Sequence, residues 1–214
     1  MSYDERMDTY LQTLSRGLPP FLEDLEASAL SERVPLIRKD TQDVIRMLLA
    51  LHKPERILEI GTAVGFSAIF MCSCSDARIV TIENFPRRIR EAEENIRKSG
   101  YGGRITLVPG DAQAILPTLE GPFDLALLDA AQGQYGSFLP ELLRLLRSGG
   151  LLITDNVLIG GDLLESHYAV ERRKRTIYKR MRMYLRELTG REDLVTSVLP
   201  VGDGLAVTVK NETS

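Results

Sequence analysis

The sequence predicts an α/β fold with N-terminal helices, a mostly parallel sheet and a C-terminal antiparallel hairpin. Between residues 53 and 154, short runs rich in Val, Ile and Leu alternate with helical patterns, as they do in right-handed βαβ units. The first 52 residues contain helical patterns alone, and the chain ends in two strand patterns around a Gly-Asp-Gly turn. The 214 residues, 43% of them hydrophobic, suit one domain with a full core.

The elements follow in chain order from the spacing of apolar residues and from the positions of Gly and Pro. The N-terminal cap, residues 1–52, is predicted to hold helices at 8–14, 21–30 and 38–51, and Pro54 then interrupts the pattern. In the core, residues 53–214, five parallel strands are expected at 56–60, 79–83, 105–108, 123–129 and 151–154. Helices are expected at 66–74, 86–98, 112–119, 138–146 and 164–188, and hairpin strands at 194–199 and 205–209.

The composition excludes several kinds of protein. No apolar run approaches the roughly 18 residues of a membrane span, and the charged N-terminus is unlike a signal peptide, so we expect a cytoplasmic protein. Cys72 and Cys74 are the only cysteines, and we interpret both as core or near-core residues because no second pair could complete a metal site. No motif assembles a Cys/His or Ser/His/Asp nucleophile set with His52 or His167.

A glycine loop follows the first predicted strand, in the segment ILEIGTAVGFS at 57–67. Gly61 and Gly65 would let the backbone approach a ligand closely. The third glycine of a dinucleotide-binding fingerprint is missing, and so is the Lys-Ser/Thr pair of a P-loop. Glu59 precedes the loop and would repel an anionic pyrophosphate, so the loop favours a cationic ligand.

Acidic residues stand at the ends of four successive predicted strands. Glu83 ends the second strand, where a carboxylate typically binds ribose hydroxyls. Asp111 follows the third strand at a helix N-terminus, and Asp129 ends the fourth. Each acid by itself is also explained as an ordinary cap. Together with Glu59 on the first strand, however, they indicate one binding crevice at the carboxyl edge of the sheet.

Asp129, Asp155 and Asn156 form a second predicted site. Each ends or follows a run of apolar residues, at 123–129 and 151–156. If the two strands are neighbours, these side chains offer three oxygen ligands on one side of a pocket. Such a set suits Mg²⁺, which takes few protein ligands and leaves positions for water and substrate. The alternative is that the acids cap two unrelated strands.

Several motifs resemble those of known enzymes. LEIGTAVGFS at 58–67 resembles the first motif of class I S-adenosylmethionine-dependent methyltransferases. LDAAQGQY at 128–135 and ITDNV at 153–157 resemble the Mg²⁺-dependent O-methyltransferases related to catechol and caffeoyl-CoA enzymes. The resemblance is closest to the bacterial tRNA 5-hydroxyuridine methyltransferases, through VP at 34–35, DAA at 129–131, TDNVL at 154–158, ERRKR at 171–175 and PVGDGLA at 200–206.

The resemblance covers nearly the whole chain and implies a Rossmann-like class I methyltransferase fold with a seven-stranded sheet. It implies S-adenosylmethionine as cofactor and Mg²⁺ held by Asp129, Asp155 and Asn156. Relatives of this kind are usually homodimers, and we expect one here. The residues expected to contact the cofactor are Ile37, Gly61, Ser67, Glu83, Asp111, Ala112 and Asp129, to which the position before the glycine loop adds Glu59.

Gln132 departs from the wider family. Many of these enzymes have a lysine after Asp-Ala-Ala, often assigned as the general base, but a glutamine accepts no proton at neutral pH. Either metal coordination alone ionises the substrate or another group takes the proton. Gln132 could still orient the substrate by hydrogen bonding, and we place it with Asp129 among the catalytic residues. The remaining alternative is that the lysine is not essential in these enzymes, so that glutamine at this position has no effect on activity.

A basic stripe lies on the long predicted helix. Residues 172–186 contain eight Lys or Arg and no acid, so the rest of the chain carries −11 once these eight are subtracted from the net charge of −3. A different face of the helix is apolar, at Ile177, Met181, Tyr184, Leu185 and Leu188. A solvated helix surface is one explanation, but unrelieved like charge on an acidic chain favours RNA binding. The residues expected to bind RNA are Arg172, Arg173, Arg175, Lys179 and Arg182.

The leading hypothesis is Mg²⁺-dependent methyl transfer from S-adenosylmethionine to the hydroxyl of 5-hydroxyuridine in tRNA, giving 5-methoxyuridine. Catechol and 5-hydroxyuracil both have two adjacent oxygens, so one metal site could serve either. The first alternative is therefore a small-molecule catechol-type O-methyltransferase with an incidental basic stripe. The second is a noncatalytic RNA-binding or scaffold protein on the same fold, which the intact set of Asp129, Asp155 and Asn156 disfavours.

Overall fold

The computed structural model describes residues 3–158, 163, 171 and 175–211. Its helices are α1 (Tyr3–Leu14), α2 (Pro20–Ser31), α3 (Lys39–His52), α4 (Phe66–Cys74), α5 (Pro86–Lys98), α6 (Ala112–Ile115), α7 (Tyr135–Leu145) and α8 (Arg175–Gly190). Its strands are β1 (Arg56–Ile60), β2 (Arg78–Glu83), β3 (Ile105–Pro109), β4 (Phe123–Leu128), β5 (Leu146–Thr154), β6 (Leu194–Leu199) and β7 (Leu205–Lys210). Short 3₁₀ turns follow α6, at Leu116–Thr118, and precede α7, at Gln132–Gln134.

The seven strands form one sheet in the order β3-β2-β1-β4-β5-β7-β6. The first five strands run parallel, and β7 pairs antiparallel with both β5 and β6. The predicted fold class is confirmed. The chain order reverses between β1 and β4, and ligands of open α/β sheets bind outside the carboxyl ends of strands at such a point. This reversal places the glycine loop after β1 beside the carboxylate after β4.

Apolar side chains fill both faces of the sheet. One face is covered by α2, α3 and α4, whose buried residues include Ile45 and Phe70. The other is covered by α7 and α8, through residues such as Phe138 and Tyr184. Parallel strands covered on both faces read as continuous apolar runs, which explains why β1, β4 and β5 were recognisable from the sequence. No helix among the described residues is long and apolar enough to cross a membrane.

Several boundaries differ from prediction. The structure has β5 begin at Leu146, which was predicted to be the last residue of a helix. Leu146 pairs with Phe123 of β4, the register then shifts, and regular pairing resumes where Leu151 meets Leu125. The predicted helix at 164–188 lies partly outside the described residues, and its described part is Arg175–Gly190. The apolar face of that helix was predicted to include Ile177, but Ile177 is 37% exposed and the next residue, Tyr178, is buried in its place.

Candidate active site

A cavity of about 670 Å³ opens at the carboxyl edge of the sheet, between the strand ends and the segment at 34–38. Nine of the predicted site residues line it: Ile37, Gly61, Ser67, Glu83, Asp111, Ala112, Asp129, Gln132 and Asn156. Glu59 and Asp155 lie behind its wall, both fully or almost fully buried. The chain order of the strands therefore brings together residues that are far apart in the sequence.

Glu83 holds the glycine loop against the end of β2. Its Oε2 accepts a hydrogen bond from the backbone N–H of Ala63 at 2.8 Å, and its Oε1 accepts from the N–H groups of Asn84 and Phe85 at 3.0 and 2.9 Å. Ala63 has a φ of +47°, a conformation that this contact helps to fix. A carboxylate accepts up to about four hydrogen bonds, so Glu83 retains capacity for a ligand hydroxyl at the cavity wall.

Asp111 caps the short helix α6. Its Oδ1 accepts a hydrogen bond from the backbone N–H of Gln113 at 2.8 Å. Its side chain is exposed at the cavity wall, and the neighbouring Ala112 is buried beneath it. Asp111 therefore combines the role of an ordinary N-cap with a position from which it can contact a ligand.

Glu59 is buried behind the glycine loop rather than exposed in the cavity. The hydroxyl of Thr81 donates to its Oε2 at 2.5 Å, and its Oε1 has no hydrogen-bond partner among the described residues. Burial raises the pKa of Glu59 from 4.5 to about 7, and the nearby hydroxyls of Ser67 and Thr81 only partly oppose the rise. Its proton affinity is therefore far above that of an ordinary glutamate.

Asp129, Asp155 and Asn156 meet in one corner. The Nδ2 of Asn156 donates to Oδ1 of Asp129 at 2.9 Å, and its backbone N–H donates to Oδ1 of Asp155 at 2.8 Å. Asn156 has a φ of +59°, which Asn tolerates better than most residues. Burial raises the pKa of Asp129 to about 6, and burial followed by the proximity of Asp129 raises the pKa of Asp155 to about 7.

This corner fits a divalent cation in its donor chemistry. The buried carboxylate of Asp155 and the half-buried carboxylate of Asp129 repel each other and would be stabilised by a cation between them, and oxygen donors suit Mg²⁺. The third donor is an amide, and no cluster of three or more Asp, Glu, His or Cys residues suited to a metal occurs in the described part of the chain. In the structure the nitrogen of the Asn156 amide faces Asp129, so a turn of the amide would be needed to present its oxygen.

The loop after β4 is fixed from two sides. The Nε2 of Gln132 donates to the backbone oxygen of Asn156 at 2.9 Å. On the opposite side, Nη1 of Arg180 on α8 donates to the backbone oxygen of Gly133 at 3.0 Å. Tyr135 begins the next helix, and its hydroxyl lies 3.2 Å from the backbone oxygen of Asp155. The loop therefore connects α8 with the acidic corner.

Sequence reasoning missed Arg38 and Asp203, which both line the cavity. Their side chains form an ion pair at 3.1 Å that joins the start of α3 to the turn between β6 and β7. Beside it, Oδ2 of Asp40 accepts from the backbone N–H of Gly202 at 2.7 Å. The PVGDGLA motif indicated a turn, but no local signal could show that the turn closes onto residues more than 160 positions earlier.

The described part of the basic stripe lies on the outer face of α8. Lys179 and Arg182 are exposed, Arg175 is partly buried, and Arg172 and Arg173 lie outside the described residues. Arg182 stacks on the ring of Tyr178 at 4.9 Å and donates to the backbone oxygen of Leu163. Within the described ranges, no carboxylate lies within ion-pair distance of Lys179, Arg180, Arg182 or Arg186.

Comparison with known proteins agrees with this geometry. A sequence model of a family described as O-methyltransferase matches residues 12–211. The chain is 32% identical over 163 residues to the catechol O-methyltransferase of Mycobacterium tuberculosis, and the alignment covers 74% of each chain.

Solved structures show the same fold. The O-methyltransferase TomG of Streptomyces achromogenes, in complex with S-adenosylmethionine, has a TM-score of 0.85 at 25% identity, with 99% of this chain and 100% of that chain covered. The methyltransferase PaMTH1 of Podospora anserina, bound to S-adenosylhomocysteine, has a TM-score of 0.87 at 27% identity, with 98% and 95% covered. The chain therefore belongs to the S-adenosylmethionine-dependent O-methyltransferases of the catechol and caffeoyl-CoA type.

Proposed function

We propose that this enzyme transfers a methyl group from S-adenosylmethionine to the hydroxyl of 5-hydroxyuridine in tRNA, giving 5-methoxyuridine, as its resemblance to the tRNA 5-hydroxyuridine methyltransferases suggests. The cofactor would occupy the 670 Å³ cavity. Mg²⁺ would be held by Asp129, Asp155 and Asn156. We further propose that the enzyme acts in the cytoplasm as a homodimer.

The observation that carries this proposal is the contact between the basic helix and the cavity. Arg180 of α8 donates to Gly133, in a loop whose neighbouring residues Gln132 and Gln134 line the cavity. Arg180, one of the cations of α8, therefore contacts a loop beside the cavity, and the phosphates flanking a target base would pass along this helix. Unpaired Lys and Arg residues on one face attract a polyanion through release of its counterions. A small phenol carries no phosphates that could bind such a surface.

The cavity residues have separable tasks in methyl transfer. Glu83 and Asp111 offer carboxylates to the hydroxyl and amine groups of the cofactor, while Gly61 lets its backbone approach the cofactor closely. The substrate oxygen must lie in line with the bond between sulfur and methyl, so positioning supplies much of the rate. When bound, Mg²⁺ would supply a Lewis acid that makes the hydroxyl more acidic. Gln132 can hold the substrate but cannot take its proton.

A catechol-type substrate is the second candidate. The observation in its favour is the 32% identity to a protein described as catechol O-methyltransferase. Both substrate classes present two adjacent oxygens to the same acidic corner. The basic face of α8 would then have no part in substrate binding, and its removal would leave activity unchanged.

The proposal is tested with labelled S-adenosylmethionine, Mg²⁺ and either tRNA containing 5-hydroxyuridine or catechol. We expect label in the tRNA, and its conversion to 5-methoxyuridine on nucleoside analysis. Asp155→Ala should abolish this transfer, whereas Asp76→Ala, which removes an exposed acid in the turn before β2, should not. Transfer to catechol alone would refute the tRNA substrate. Full transfer by Asp155→Ala would refute the metal site.

A further inference from the structure

The side-chain amide of Gln132 has a fixed orientation. Its Nε2 lies 2.9 Å from the backbone oxygen of Asn156. A backbone carbonyl only accepts hydrogen bonds, so the nitrogen end of the amide must face it. The other end, Oε1, receives no hydrogen bond from the described residues. Gln132 is half-buried and lines the cavity beside Asp129 and Asn156, so the chain presents a hydrogen-bond acceptor at this wall.

Asn156, which accepts the hydrogen bond from Gln132, and the loop that carries Gln132 are both fixed by further hydrogen bonds. Asn156 donates to Asp155 through its backbone N–H and to Asp129 through Nδ2. Arg180 donates to Gly133, the residue after Gln132, and so fixes the loop from the side of α8. An acceptor fixed in this way discriminates between ligands, because a ligand group without a donor leaves it unsatisfied, which lowers affinity roughly 5- to 150-fold.

We propose that Gln132 is a specificity-determining residue whose Oε1 accepts a hydrogen bond from the imide N–H of a 5-hydroxyuracil ring. This inference rests on the proposed function. In 5-hydroxyuracil the N3–H is bonded to the carbon of the C4 carbonyl, so a donor lies directly beside the pair of adjacent oxygens. Catechol has only a C–H at the equivalent position. A lysine at 132 would present donors alone and would oppose the N–H.

The test compares two RNA hairpins, one with a single 5-hydroxyuridine and one with N3-methyl-5-hydroxyuridine, which lacks the donor. For each we would measure methyl transfer at saturating Mg²⁺, and equilibrium binding in the presence of S-adenosylhomocysteine. The wild-type enzyme should favour the first hairpin at least about fivefold in both measurements, as expected for one hydrogen bond to a fixed acceptor. Equal use of the two hairpins by the wild type would overturn the inference.

The variant Gln132→Lys removes the acceptor Oε1 while keeping a donor for the carbonyl of Asn156. The lysine retains donors that can reach the carbonyl of Asn156 but has no acceptor. It should lower kcat/KM for the 5-hydroxyuridine hairpin at least about fivefold, reduce the preference between the hairpins, and lower catechol methylation by a smaller factor. Gln134→Lys adds the same charge to the same loop and lines the same cavity, yet its side chain makes no hydrogen bond among the described residues. Its hairpin preference should match the wild type.

The outcomes distinguish this inference from the function on which it rests. If the wild type methylates catechol but neither hairpin, the proposed function fails and the recognition of uracil fails with it. If the wild type methylates the 5-hydroxyuridine hairpin and Gln132→Lys lowers hairpin and catechol methylation equally, the function stands and only the inference is overturned. In that case Gln132 would serve solely to position Asn156.

Discussion

The backbone of Gly61 lies directly against that of Asp129. A β-carbon added to Gly61 would lie 1.8 Å from the carbonyl oxygen of Asp129 and 2.8 Å from its carbonyl carbon. Gly61 also has a φ of +101°, which L-residues rarely adopt. The adjacent backbone hydrogen bond, from the N–H of Asp129 to the oxygen of Ile60 at 3.0 Å, fixes the approach. The glycine loop and the candidate metal residue are therefore packed as one unit.

We expect Gly61→Ala to destabilise the protein by about 3 kcal/mol or more, because backbone rather than a flexible side chain occupies the space. Urea unfolding would measure this loss, and calorimetry should show weakened binding of S-adenosylhomocysteine. Gly136→Ala on α7 is the matched control, since its added β-carbon meets nothing within 4 Å. It should stabilise the protein by about 0.5–1 kcal/mol. Equal stability of the two variants would contradict the packing.

The fold could be predicted because its signals are local and repeated. Each parallel strand is a short apolar run, and the glycine loop and strand-end acids stand at the same place in successive units. The right-handedness of βαβ connections limits the strand orders that are possible, and the observed order is known from the structure. The start of β5 was missed because Arg147 to Gly150 form an irregular stretch inside a strand, and such a stretch resembles a helix end in the sequence.

The direction of each side chain at the site could not be predicted in the same way. Glu59 precedes the glycine loop in the sequence, but its side chain does not line the cavity. It lies opposite Thr81 of β2 and accepts a hydrogen bond from the hydroxyl of that residue. The contacts Arg38–Asp203 and Arg180–Gly133 join segments that approach each other only in the folded chain. These contacts depend on how the N-terminal helices and α8 are positioned against the rest of the fold. The spacing of apolar residues shows which face of a helix is buried, but not which residues that face will contact.

Glu59 should make stability depend on pH. Its folded pKa of about 7 lies above the ordinary value of 4.5, so the folded state binds the proton more tightly than the unfolded state. This contribution to stability is fully present below pH 4.5 and is lost as the pH rises through about 7. Glu59→Gln cannot ionise and can still accept from Thr81. Relative to the wild type, it should gain on the order of 2–3 kcal/mol between pH 5 and pH 8.

Unfolding in urea at the two pH values, without added metal, measures this difference. Acids remote from Glu59 titrate alike in both proteins, so they cancel from the comparison, and the charges of Asp129 and Glu83 have smaller effects on Glu59 than its burial has. Glu93→Gln, on the exposed face of α5, provides a control that should shift stability by less than about 0.5 kcal/mol at either pH. A constant difference between Glu59→Gln and the wild type would show that Glu59 does not take up a proton on folding.

Mg²⁺ should stabilise the wild type but not Asp155→Asn. An ion bound only to the folded state adds about 2.7 kcal/mol at a concentration 100 times its dissociation constant, or roughly 5 °C or more in Tm. Without the ion, Asp155→Asn should be as stable as the wild type or more stable, because a buried carboxylate that faces Asp129 has been removed. Thermal unfolding with and without Mg²⁺ measures both effects. Asp76→Asn, an exposed acid, should retain the wild-type response.

Reversing two cations on α8 should weaken tRNA binding while sparing a small substrate. Lys179 and Arg186 lie seven residues apart on one exposed helix face, without an ion-pair partner among the described residues. The double variant Lys179→Glu, Arg186→Glu should therefore lose phosphate contacts without losing packing. The slope of log K against log salt should fall by about 2, one unit for each lost contact. Filter binding over a range of salt concentrations measures the slope.

The matched control reverses two cations at the opposite edge of the sheet. Arg78 begins β2 and Arg90 lies on α5, both are exposed, and α5 packs against β3 whereas α8 packs against β6. Arg78→Glu, Arg90→Glu changes the net charge by the same amount, so any effect of overall charge should appear in both variants. We expect the salt slope to fall only for the α8 pair, and catechol methylation to be unchanged in both. An equal fall in slope would show that tRNA responds to net charge rather than to the face of α8 that carries Lys179 and Arg186.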